Sequence, residues 1–167
     1  MRFIATADTD IGISKDTNQD SVLIKHATAD GKEILLAVVC DGMGGAAGGQ
    51  LASRIATETF VSELEKVLNP AMTPEQLIAA SSYAAALANE AIQAAACDKE
   101  EYQNMGTTLV AAVSYEKGVV VTNVGDSRAY LVRRNEDPDA SAIFRVTKDH
   151  SWVETLVEMG NITEEEA

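Results

Sequence analysis

The 167-residue sequence predicts an α+β fold built on antiparallel sheet, for three reasons. Strand-like and helix-like stretches are segregated along the chain rather than alternating. The later strands are joined by turns too short to hold a crossover helix. The first long helical pattern is followed by a second helix, so no βαβ unit closes.

Taken in order, residues 2–8 (Arg2 to Asp8) alternate well enough for a strand, and Gly12 to Asn18 is polar and loop-like. Ser21-Val22-Leu23-Ile24-Lys25 reads as a strand. Asp30-Gly31 reads as a hairpin turn into an apolar run, Ile34 to Cys40, that ends at the carboxylate of Asp41. Gly42-Met43-Gly44-Gly45-Ala46-Ala47-Gly48-Gly49 is too glycine-rich to predict helix or strand. Residues 49–68 then read as a helix, with Leu51, Ile55, Phe60, Leu64 and Val67 spaced for one face, and Asn69-Pro70 stops it. Thr73-Pro74-Glu75-Gln76 starts a second helix: Thr73 is placed to cap, Pro74 fits the first turn and Gln76 completes a capping box. That helix runs to about Asp98, is rich in alanine, and offers Leu77, Tyr83, Ala84, Leu87, Ala91 and Ile92 as a core face.

Strands follow at Thr107–Tyr115, Val119–Val124, Ala129–Val132 and Ala142–Val146, with turns at Glu116-Lys117-Gly118 and Gly125-Asp126-Ser127-Arg128 and a polar loop from Asn135 to Ser141. A short amphipathic helix runs from Trp152 to Met159 and closes at Gly160, and Thr163-Glu164-Glu165-Glu166 begins another.

The length suits one domain, 1–167, and the 46% hydrophobic content suits a core. A net charge of -13 and a pI of about 4.4 oppose binding to nucleic acid or an anionic membrane surface and favour divalent cations. Neither a membrane-spanning run nor an apolar signal region is present, and Cys40 and Cys97 do not form a disulfide framework, so the expected compartment is the cytoplasm.

The glycine turn after Cys40 suits either a phosphate or a metal. Gly42-x-Gly44-x-x-Ala47 fits a dinucleotide fingerprint, but Asp41 would face the pyrophosphate and no second strand follows the helix. A hard cation needs several oxygen ligands, and Asp20 and Asp126 sit, like Asp41, at sheet-edge positions. Each of these aspartates taken alone is more simply a turn cap; their shared kind of position is what favours metal.

Asp10-Ile11-Gly12 through Asn18-Gln19-Asp20-Ser21, Val39-Cys40-Asp41-Gly42-Met43-Gly44-Gly45, Met105-Gly106-Thr107-Thr108-Leu109, Val124-Gly125-Asp126-Ser127-Arg128-Ala129-Tyr130-Leu131, and Thr147-Lys148-Asp149-His150-Ser151 with Leu156 to Ala167 follow one another in an order that resembles the metal-dependent protein phosphatases of the 2C type, over the N-terminal two-thirds of their domain. The resemblance implies an antiparallel β-sandwich flanked by paired helices. It also implies hydrolysis of phosphoserine or phosphothreonine in proteins by a water that two Mn²⁺ or Mg²⁺ ions activate, with a third ion in bacterial members. It gives Asp41 the role of bridging ligand, the Gly42 carbonyl that of a further metal ligand, Asp20 that of binding a metal or orienting its water, Asp126 a place in the third site, and Lys15 the grip on substrate phosphate. A phosphorylated protein is the implied substrate and a serine/threonine kinase an implied partner.

Departures accompany it. The family usually has arginine where Lys15 stands, and lysine lacks the two-pronged hydrogen bond. Gln19 replaces a frequent glutamate, and Ala46 and Gln50 a histidine and a glutamate of many bacterial members. The family continues past the position of Ala167 with closing strands and with Ser-Asp-Gly and Asp-Asn motifs that complete its binuclear site. The expectation is therefore a fragment of a longer phosphatase with little activity of its own and an open sheet edge that invites dimerisation. The competing readings are a non-catalytic relative that binds phosphoproteins or a kinase, and a nucleotide-binding α/β protein. His26 is expected to be a surface residue without a role, His150 to be structural, Trp152 to pack its helix, and Arg128 to pair with an acid such as Asp126.

Overall fold

The computed structural model describes residues 3–13, 15–29, 31–115, 118–133, 142–163 and 165–166. Residues 20–124 form an antiparallel sheet with two helices laid against one of its faces. Strands β1 (Asp20–Ala29) and β2 (Lys32–Met43) form a long hairpin, followed by helices α1 (Ala46–Val67) and α2 (Pro74–Ala96). A single 3-10 turn at Glu100–Tyr102 leads to β3 (Gly106–Thr107), β4 (Leu109–Tyr115) and β5 (Gly118–Val124). Strand order in this sheet is β1-β2-β4-β5, with β3 paired to the far end of β2, and every pairing is antiparallel. The second half contributes a separate antiparallel pair, β6 (Tyr130–Arg133) and β7 (Ala142–Arg145), and then helix α3 (Trp152–Glu158).

Period-2 alternation decides the core. Ile34, Leu36, Val38 and Cys40 on β2 point to one face, and the register places Ala111 and Val113 of β4 on the same face. Helix α1 lays Ala52, Ala56, Phe60, Val61 and Leu64 against that face, and α2 adds Leu77, Ala84, Ala88 and Ile92. Phe60 is 0% exposed. The small residues between the large ones let the helices approach closely, so alanine-rich α2 is a packing element. Of its expected face, Leu77, Ala84 and Ile92 are buried and Leu87 and Ala91 partly so, while Tyr83 lies outside; Ser81 and Ala88 take the buried positions instead. The Thr73 capping box forms as the sequence predicts: Thr73 Oγ1 accepts from Gln76 N and Gln76 Oε1 accepts from Thr73 N.

Three expectations are corrected. Residues 3–8 form no strand, because no strand lies beside them to complete a ladder, and Ile4 is exposed. The glycine stretch is not a long loop. Strand β2 continues through Gly42 to Met43 and α1 starts at Ala46, leaving Gly44 and Gly45 as the whole connection. Both have positive φ, +108° and +84°, which permits so sharp a reversal. The strand predicted at Thr107–Tyr115 is interrupted at Thr108, where β3 turns to pair with β2. The predicted turns at Asp30 and Glu116-Lys117, the loop from Asn135 to Ser141, the start of the first strand at Arg2, and Glu164 and Ala167 at the chain end lie outside the described residues.

Candidate metal centre

The hairpin register builds the site. Counting outward from the turn between Ala29 and Lys32 pairs Asp20 directly with Asp41, so two carboxylates from neighbouring strands stand on the sheet face opposite the helices. Their proximity has an electrostatic cost. Partial burial, then the charge of Asp41 and a hydrogen bond with its carboxyl, hold Asp20 above the usual carboxylate range, against the opposing pull of Lys15. Two like charges facing each other form an arrangement that a cation relieves.

The backbone around the pair is fixed. Asp20 N donates to Asn18 Oδ1 at 3.0 Å, and Asn18 Nδ2 donates to Thr9 Oγ1 at 2.8 Å. Gly42 N donates to Gln19 O at 3.2 Å, and the buried hydroxyl of Ser53 on α1 donates to the same oxygen at 2.6 Å. With its amide nitrogen facing them, Gln19 also donates to Gly42 O at 3.1 Å and Gly45 O at 3.3 Å. Gln19 therefore ties the entry to β1, the end of β2 and the start of α1 together. A Cβ on Gly42 would lie 2.1 Å from Gly49 O and 2.6 Å from Gln19 O. Glycine is required there because the first turn of α1 crosses the strand end on the helix side.

Asp41 is clamped from the other flank by the Met105–Leu109 segment. Its N–H donates to Thr108 Oγ1 at 3.0 Å, and its carbonyl accepts from Thr108 N at 2.9 Å and from Thr107 Oγ1 at 2.9 Å. Gly44 fits because a side chain would collide with the Asn104 and Met105 backbone at 2.5 Å.

The candidates divide into two groups. Lys15 lines a cleft of about 260 Å³ with Asp10, Ile11, Gly12, Asn18 and Asp20, so the phosphate-gripping candidate and one metal candidate share a site. Asp126 does not join them. It lines a separate cleft of about 700 Å³ with Arg128, Arg145, Asp149 and Glu154, and among the described residues no group of three or more histidines, cysteines, aspartates or glutamates is placed to hold a metal. The donors that converge are Asp20 and Asp41.

Arg128 also departs from expectation. Its partner is Asp149, not Asp126: Arg128 Nε and Nη2 donate to the Asp149 carboxylate at 2.6–3.0 Å. That pairing holds Asp149 below the usual carboxylate range and raises Arg128. Nothing short-range in the sequence indicates it, since 21 residues separate the two. His150 is structural, with its N–H donating to Gly125 O at 2.9 Å and its Nδ1 accepting from Gly125 N at 3.4 Å. Ser151 caps α3, accepting from Glu154 N at 3.1 Å. Trp152 is largely exposed rather than packed. The thiol of Cys40 is pushed up to about 11 by burial, so it is an inert core group, and both cysteines are free.

The nucleotide-binding reading fails on topology, because the glycine turn joins an antiparallel strand to a helix that leads into another helix.

Known proteins resemble this arrangement. The family model for protein phosphatase 2C matches residues 13–156. The serine/threonine phosphatase Stp of Listeria welshimeri is 33% identical over 159 residues, 95% of this chain and 59% of that protein. The solved structure of serine/threonine phosphatase Stp1 from Staphylococcus aureus matches with a TM-score of 0.78 and 37% identity, covering 95% of this chain and 58% of that one. The catalytic domain of the serine/threonine protein phosphatase PstP in complex with two manganese ions matches with a TM-score of 0.71 and 32% identity, over 93% of this chain and 59% of that one. The chain thus spans about three-fifths of the length of these relatives. Among the described residues no helix is long and apolar enough to cross a membrane. A paired Asp20 and Asp41 at a hairpin end, a glycine connection into α1 and a family match over residues 13–156 carry one conclusion: the chain belongs to the protein phosphatase 2C family.

Proposed function

We propose that the chain is the metal-binding part of a cytoplasmic protein serine/threonine phosphatase, with residues 1–167 forming a single domain. The observation that carries the proposal is the Asp20–Asp41 pair: two carboxylates opposed across a ladder, with Asp20 raised by partial burial first and then by the charge of its neighbour. Oxygen donors of this kind suit Mn²⁺ or Mg²⁺, and PstP, a relative, is known with two manganese ions. Asp20, Asp41 and the carbonyl of Gly42 would hold the metal, and Asp126, on its separate loop, would serve a third ion. The chemistry such a cation would supply, when bound, is activation of a water as nucleophile near neutral pH.

The protein's own groups then have defined tasks. Asp20 and Asp41 supply the negative charge that binds the cation. Lys15, in the cleft beside Asp20, attracts the phosphate of a phosphorylated protein substrate. Its point charge gives less directional hold than a guanidinium. The role is a signalling one, reversing a serine/threonine kinase. With two converging carboxylates among the described residues, the 167-residue chain is expected to turn over slowly. The partly uncovered apolar sheet face, with Val39 43% exposed, supports self-association at high concentration.

The test is calorimetric and kinetic. The chain should bind Mn²⁺ and hydrolyse a phosphothreonine peptide slowly in a manganese-dependent way, and D41N should abolish both. A chain that takes up no manganese, or whose hydrolysis survives D41N, overturns the reading.

A further inference from the structure

The threonine pair that clamps Asp41 also reaches the Asp126 loop. Thr108 lies where β3 and β4 separate, and it is 3% exposed. Its Oγ1 accepts from Asp41 N at 3.0 Å and is 2.6 Å from Ser127 Oγ. A threonine hydroxyl has one proton and two lone pairs. With one lone pair committed to Asp41 N–H, its proton or its second lone pair serves Ser127. The methyl group of Thr108 acts as a spacer on the same loop: a Cβ on Gly125, whose φ is +99°, would sit 2.8 Å from Thr108 Cγ2. One buried side chain therefore touches the backbone of one candidate ligand and both neighbours of another. The far side of the loop is fixed independently, by His150 N–H and by Asn123 Nδ2, which donates to Gly125 O at 3.3 Å and to Lys148 O at 2.8 Å.

We propose that Thr108 is a positioning residue that couples the Asp20–Asp41 pair to the Asp126 loop, so that a cation bound at the pair orders Asp126 for a second cationic ligand. This rests on the metal-binding reading above. Thr108 and Ser127 form a hydrogen-bonded path from the Asp41 backbone to the residue after Asp126. A group that orients a ligand in this way affects metal affinity by about tenfold or more when removed.

Two substitutions separate its parts. T108V keeps the shape and methyl packing but leaves the Asp41 N–H without a partner; T108S keeps the hydroxyl and gives up the methyl. Titrating the whole chain with MnCl₂, with free Mn²⁺ followed by electron paramagnetic resonance, should show about tenfold weaker binding in T108V and restoration to within about twofold in T108S. Amide hydrogen exchange at Asp126 should slow on manganese addition in the wild type and in T108S but not in T108V. Equal manganese affinity in the wild type and T108V, or equal slowing at Asp126 in both, overturns the coupling while leaving the metal site standing. A wild-type chain that takes up no manganese overturns the site and the coupling with it. A merely structural Thr108 would lower the melting temperature of both variants without restoring affinity in T108S, and that outcome also overturns the proposal.

Discussion

The two halves of the chain are held by opposite means. Residues 20–124 are an apolar construction, in which one face of a five-stranded sheet and two long helices exclude water around Phe60, Leu64, Val38 and Val113. Among the described residues, 125–133 and 142–163 have little core. Tyr130, Leu131, Val132, Ile143 and Phe144 on β6 and β7 are exposed, and no residue of α3 is fully buried. Charge holds this half instead: Arg128 to Asp149, Arg145 to Glu154 at 3.0 Å, and Lys148 to Glu158. The lesson is one of reach. The apolar part fixes where Asp20 and Asp41 stand, and the Asp126 loop is tied to it through Thr108, Asn123 and His150.

The apolar part depends most on Phe60. F60A should cost about 3–5 kcal/mol, because a fully buried ring leaves a cavity that a sheet and two helices cannot collapse into. That corresponds to roughly a 10 °C fall in melting temperature, read by circular dichroism at 222 nm. V39A, on the open face of the same strand, should cost less than about 1 kcal/mol. Similar losses for the two would mean that the open face is as well packed as the closed one.

Gly42 gives the next largest effect. G42A should cost on the order of 3 kcal/mol, because the added methyl would meet the backbone of Gly49 and Gln19 rather than flexible side chains. The same change should weaken manganese binding, since the Gly42 carbonyl must move with its residue. A G42A chain with wild-type melting would show that α1 can retreat from β2 freely.

Much of this architecture is legible in residues that act locally. The Thr73-Pro74-Glu75-Gln76 start of α2 and the alternation of β2 follow from rules that involve neighbours only. The Asp20–Asp41 opposition is legible too, because the hairpin signal that the sequence carries at Asp30-Gly31 sets it by counting along both strands, and the register agrees. What was not legible depends on distance. Arg128 finds Asp149 rather than Asp126 because β6 and β7 pair and bring residue 149 alongside it. The extent of β2 and α1 was hidden because glycine carries no pattern, so the boundaries at Met43 and Ala46 are set by packing against Met105 and Gln19.

The charged half should yield separately. D149N should reduce hydrogen-exchange protection around Val146–Ser151 by about tenfold while leaving β1–β5 protected. High salt should mimic it in part, since Arg128 is half-exposed and its attraction is screened. Loss of protection throughout the chain would show that the halves unfold as one.

The smallest effect distinguishes the halves by sign. Asp149 is lowered in the folded chain, so it contributes stability present above its unfolded value near 3.8 and lost as pH falls through its depressed value. Asp20 is raised, so the stability linked to it is fully present below 3.8 and is lost as pH rises through its elevated value. In metal-free buffer, lowering the pH from 7 towards 4 should therefore firm the Asp20 end of the hairpin, while the Asp149 region begins to loosen only at lower pH. D20N should remove the first response, raising the melting temperature at pH 7 by a degree or so, and should leave the second intact. Manganese should do for the wild type at pH 7 what protonation does at pH 4, because either one cancels the repulsion between Asp20 and Asp41. If D20N instead melts lower than the wild type in the absence of metal, the two carboxylates do not repel, and the electrostatic argument for a cation at this strand end falls.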